Sequence, residues 1–175
     1  MKKIIQRSMK LMPAFAILAV AATGRPADVA PGPDTPSVEA VRKATARFTD
    51  IAVARAEGWS LALTGCMESA EGGMGYHFGN EALLGDGGEL EPTRPEALLY
   101  EPRQDGSMEL VAVEYLVPFP DWKGDEAPVF MDHGMIANEE FGVWTLHLWL
   151  RSNPKGTFVG WNPDVTCDFA TTDGK

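Results

Sequence analysis

Little in this chain invites the commoner chemistries. Its 175 residues hold two cysteines and three histidines. With no CxxC, HxH, HExxH or HxxxH pair among them, the local spacings of zinc fingers and helical metalloproteases are excluded. A GxGxxG turn and a P-loop are both absent, which excludes the common cradles for dinucleotides and nucleoside triphosphates. Ser60, Ser69, Ser107 and Ser152 form no GxSxG elbow, and the acidic run GDGGELE lacks the alternating ligands of a calcium hand. Cations are scarce, with Lys plus Arg at 15 against 25 Asp plus Glu and a net charge of −10. Nucleic acid and anionic lipid both need clustered cations, so neither is expected as a partner.

Hydrophobic residues make up 45% of the chain, enough for one core of ordinary domain size. At the N-terminus Lys2, Lys3, Arg7 and Lys10 precede an apolar stretch over residues 11–22, LMPAFAILAVAA, followed by small residues. That is the three-part pattern of a secretory signal peptide, expected over residues 1–24. As a helix the stretch would reach roughly 18 Å, short of the roughly 30 Å hydrocarbon core, so no stable membrane insertion is expected once the signal is cleaved. The predicted destination is the periplasm or the exterior. Cys66 and Cys167, an even pair bound for an oxidising space, are expected to form a disulfide.

Residues 25–34, RPADVAPGPD, read as a flexible leader, and residues 35–175 as a single α+β domain. Thr35 is the expected N-cap and Pro36 the first helical residue. Val38, Val41, Thr45, Phe48 and Ala52 recur at helical steps, predicting one amphipathic helix that ends at Gly58. Five or six strands follow, at 60–67, 74–78, 96–101, 108–117, 143–150 and a short last one at 157–161. Asp105–Gly106 marks a hairpin turn. The expected fold is an N-terminal amphipathic helix packed on an antiparallel sheet.

Alternation along the strands isolates the unusual residues. Val111, Val113, Tyr115 and Val117 are expected on one face, with Leu110, Ala112, Glu114 and Leu116 on the other. His147 shares a face with Val143, Thr145 and Trp149. Both strands are apolar on both sides, so Glu114 and His147 are expected to be buried or to line a cavity. His77 lies between Tyr76 and Phe78 in a glycine-rich strand, and His133 in the loop MDHGM. His77, His133 and His147 with a carboxylate could hold zinc, copper or iron, and Met67, Met74, Met131 and Met135 would favour copper. A small-molecule pocket lined by Tyr76, His77, Glu114, His147 and Trp149 is the broader expectation, with Trp144 and Trp161 as further walls.

Segments 71–84, 95–102, 110–118 and 146–167, with the elements EGGMGYH and HLWL…NP…WNP…C, resemble a group of uncharacterised exported bacterial proteins. The resemblance implies export and a shared fold, without an activity. Members of the group carry a further His shortly before the LHLWL strand, where this chain reads NEEFGVWT. Together these readings predict an exported small-ligand-binding protein, with or without a transition metal held through His and Glu. One alternative is a small enzyme with Glu114 and His147 as acid and base. Another is a structural or interaction protein whose buried polar groups satisfy one another.

Overall fold

The computed structural model describes residues 37–171. The signal segment, the leader, Thr35 and Pro36 lie outside that range. Among the described residues no helix is long and apolar enough to cross a membrane.

The helical region is segmented. Helix α1 (Val38–Thr45) leads into a 3-10 turn at Ala46–Thr49, and helix α2 (Ile51–Ala56) follows. The cap that the structure shows is Ser37, whose side chain accepts from the Ala40 amide. The expected single helix breaks at Asp50, which is extended (φ −91°, ψ 108°) and uses its carboxylate to cap Ala52 N at 2.9 Å. Asp competes for backbone donors in this way, so it starts a helix better than it continues one. The break turns the apolar stripe: Val41, Phe48 and Ala54 are buried, while Ala52 faces out.

After the helices come β1 (Trp59–Ala62), β2 (Met67–Ser69), β3 (Gly72–Asn80), a single helical turn α3 (Glu81–Leu84), β4 (Ala97–Pro102) and β5 (Met108–Pro118). A small hairpin, β6 (Val129–Phe130) with β7 (His133–Gly134), precedes β8 (Ile136–Asn138) and β9 (Val143–Trp149). Seven strands form one antiparallel sheet in the order β1-β3-β4-β5-β9-β8, with β2 also on β3. The sheet exceeds the expected five or six strands because β2 and β8, three residues each, are too short to show alternation. Residues 157–161 form no strand; a lone bridge between Gly73 and Asn162 anchors that stretch.

Two cores sandwich the sheet. Val41, Phe48 and Ala54 pack with Tyr76, Phe78, Leu98, Tyr100, Val113, Tyr115, Leu146 and Leu148 on the helix side. Arg42 helps to fasten α1 by donating to the Leu150 and Trp149 carbonyls, and Tyr100 donates to Phe48 O at 2.7 Å. The opposite side holds Met74, Ala97, Leu99, Val111, Ala112, Leu116 and Trp149. Val111 is on this side, against expectation, and Leu110 is on the helix side. A bulge is the reason: Leu99 pairs with Ala112 but Tyr100 with Leu110, so Val111 is an extra residue.

Candidate metal centre

The second side of the sheet carries the site. In β9 strict alternation aims Thr145, His147 and Trp149 at it, as expected. In β5 the bulge restores the alternation that brings Ala112, Glu114 and Leu116 there. Glu114 and His147 are direct cross-strand partners. His77 comes from β3, two strands from β5, opposite Leu99 on β4. Between Glu114 and the β3 backbone stands Ala97, paired with Gly79 on one side and Glu114 on the other. Its single methyl leaves the space through which the carboxylate and the imidazole meet.

Gly75 sets the facing of His77. Its φ of +84° breaks the pleat, so Met74 and His77 reach the same side of the sheet while Tyr76 and Phe78 stay on the helix side. A Cβ on Gly75 would stand 2.3 Å from the Tyr100 carbonyl oxygen, so the position admits only glycine. Gly79 has a different role: a Cβ there would press on Leu63, which covers the strand and lines the cleft.

Three donor groups converge. His77 Nε2 lies 3.6 Å from Glu114 Oε2, and His147 Nε2 lies 3.4 Å from Glu114 Oε1. One ligand atom from each residue falls within 4.8 Å of the others, and the group could hold a metal ion. All three are buried, at 4%, 6% and 8% exposure for His77, Glu114 and His147. Burial pulls the His77 pKa from 6.5 to about 4, outweighing the opposing pull of the Glu114 carboxylate. Its ring is therefore neutral at physiological pH, with one nitrogen free of a proton. Nδ1 sits 2.9 Å from Thr64 Oγ1, and that hydroxyl also lies 2.8 Å from Gly65 O. A hydroxyl has one hydrogen; pointing it at Gly65 leaves Nδ1–H to donate to Thr64 and frees the Nε2 lone pair for the cluster. Glu114 Oε1 accepts from the Thr145 hydroxyl. Among the described residues the buried His147 Nε2 finds no hydrogen-bond partner.

The cluster opens on a cleft of about 650 Å³ lined by Leu63, Met74, Leu116, Val143, Phe158 and Trp161 among others. Its lining contains no lysine or arginine.

The residues expected at the site divide. His77, Glu114 and His147 come together. His133 also borders the cleft, but it is exposed, stacks on Phe158 at 3.8 Å and stands outside the three-residue group. Tyr76 does not join them: it is packed on the helix side, its hydroxyl donating to Thr171 O at 3.1 Å. Trp149 is on the site's side of the sheet yet buried beneath it, donating to Val159 O at 2.6 Å, and is not a cleft wall. Of the other tryptophans Trp161 is a wall and Trp144 packs with the helix-side core. Met67 and Met74 line the cleft, whereas Met131 and Met135 belong to the helix-side core, which halves the thioether supply. Neither Thr64 nor Thr145 was expected as a site residue, although Thr145 was expected on the face of His147. Thr145 was findable, two residues before His147 on the same face; Thr64, in the loop after β1, carries no periodic signal.

The Cys66–Cys167 disulfide is formed, with Cα atoms 5.9 Å apart. Comparison with protein-family models, with curated proteins and with solved structures finds no match. The site therefore stands on its own geometry.

Proposed function

We propose that this is an exported metal-binding protein whose His77, Glu114 and His147 hold a divalent transition ion. The observation that carries the reading is a buried carboxylate flanked by two imidazole Nε2 atoms, one of them without a hydrogen-bond partner among the described residues. A buried charge needs a partner of opposite sign, and an ion would serve all three groups at once. Two His and one carboxylate form a nitrogen–oxygen donor set used for both catalytic zinc and non-haem iron. Thr64 and Thr145 would orient the His77 and Glu114 ligands from behind. Export is supported by the residue 1–24 pattern, the disulfide and the resemblance to exported bacterial proteins.

Elemental analysis of untagged protein purified from the periplasm tests the first part. The expected result is near-stoichiometric zinc, iron or copper, lost in His77→Ala and His147→Ala. Protein that carries no metal and takes up none on dialysis would overturn it. Intact mass of the same sample tests export, since a signal peptide should be missing.

A second reading has its own observation. Glu114 and His147 face each other at 3.4 Å on a cleft, the arrangement of a metal-free acid–base pair. It predicts that a small substrate is turned over in the presence of a strong chelator.

A further inference from the structure

All three donors project from one face of one sheet, on β3, β5 and β9. An ion held by them would be ligated from the sheet side, and all three ligands line the cleft, so positions they leave open would face it. That cleft is far larger than hydrated metal requires: its roughly 650 Å³ lies within the range of organic-ligand sites. Leu63, Met74, Leu116, Val143, Phe158 and Trp161 make its walls largely apolar. A divalent ion with a single carboxylate retains net positive charge, while the described residues lining the cleft include no Lys or Arg but do include Glu139 and Glu140. An ion would therefore be the main attraction for an anion inside the cleft, with the exposed His133 imidazole at its border.

Resting on the metal reading above, we infer that the site is an open one, which takes a small amphipathic molecule. Its anionic, metal-chelating head, a carboxylate or its equivalent, completes the coordination, and its apolar body occupies the cleft. Head and body are recognised by different parts of the site, so both are needed for tight binding.

Cobalt(II) makes this visible, because its visible absorption bands report a change in coordination. Cobalt is first loaded on the full exported chain and its stoichiometry measured; failure at that stage would remove the metal reading and this inference with it. The loaded protein is then titrated with octanohydroxamate and with acetohydroxamate, which share a chelating head and differ in the apolar body. The expected result is a band shift with both, with octanohydroxamate binding about tenfold or more tightly, since each buried methylene adds to affinity. Metal-free protein should bind neither. Bands unchanged by either probe would show a closed centre. Equal affinities would show that the cleft does not read the body, and equal octanohydroxamate binding without cobalt would show that the ion does not anchor the head. Each of these three results overturns the inference.

Discussion

Thr64 carries one hydroxyl hydrogen, and its two neighbours, Gly65 O and His77 Nδ1, decide where that hydrogen goes. This contact and the backbone hydrogen bond to Gly75 together bear on which nitrogen of His77 is free to meet Glu114. Replacing it with valine keeps the shape and removes the acceptor. Thr64→Val should lower metal affinity about 10- to 100-fold, as expected when the group that orients a ligand is lost. The metal-free protein should lose about 1 kcal/mol, because the buried His77 ring gives up its Thr64 contact and keeps its backbone hydrogen bond to Gly75. Competition against a chromogenic chelator measures the first, and urea unfolding the second. An affinity equal to the parent's would show that the His77 tautomer is set elsewhere.

Strand β3 shows how one residue can set an element's role. Its sequence GGMGYHFGN has almost no bulk on the site's side except Met74 and His77, and the left-handed backbone at Gly75 brings these two to one face. Gly75→Ala combines positive φ with a clash against the Tyr100 carbonyl on the neighbouring strand. The cost should be about 2–4 kcal/mol, or a pleat that relaxes and rotates His77 away. Urea unfolding and metal stoichiometry together separate those outcomes. Wild-type stability with full metal loading would mean that the left-handed backbone at Gly75 is not what aims His77.

At the scale of the molecule, the wall of the cleft opposite the sheet comes from a segment with almost no regular structure. Phe158, Val159, Gly160 and Trp161 line it, and the Cys66–Cys167 disulfide ties the chain beyond them to the loop before β2. With 101 residues between the two cysteines, the bond restricts the unfolded chain strongly. Reduction, or the double change to alanine, should cost about 2–5 kcal/mol in urea unfolding. It should also weaken binding to the cleft more than to the metal, since the ligands lie on the sheet and the wall does not. Equal loss at both would place the disulfide's effect in the sheet instead.

A second property of the whole molecule is its response to pH. Glu96 is buried at the head of β4 and accepts from the Leu116 amide at 3.0 Å. Burial pushes its pKa from 4.5 up to about 8 despite that hydrogen bond. Between those values the folded chain holds a proton that the unfolded chain has released, so Glu96 makes stability fall as pH rises through this window, and its effect levels off above it. From pH 6.5 to 8 the loss should be on the order of 2 kcal/mol in metal-free protein. Glu96→Gln should flatten that decline; an undiminished slope in the variant would assign it to another group.

Composition and alternation were legible from the chain alone. Two-residue periodicity marked β5 and β9 as apolar on both faces, and so exposed Glu114 and His147 as polar residues in the interior. An even cysteine count in a chain with a signal-like N-terminus pointed to the disulfide that forms. The tertiary structure alone decided which polar residues meet. His77 and Glu114 are 37 positions apart and separated by a strand, and only the register of β3, β4 and β5, with Ala97 between them, makes them neighbours. The left-handed backbone at Gly75 and the bulge at Val111 shift the pleat without leaving a mark in the hydrophobic pattern, so Val111 was expected on the wrong face. Equally hidden was the difference between His133 and the two histidines of the cluster, or between Tyr76 and its neighbour His77. Periodicity reports which way a side chain points relative to its own strand; which strands lie side by side, and at what offset, depends on pairing across the whole sheet.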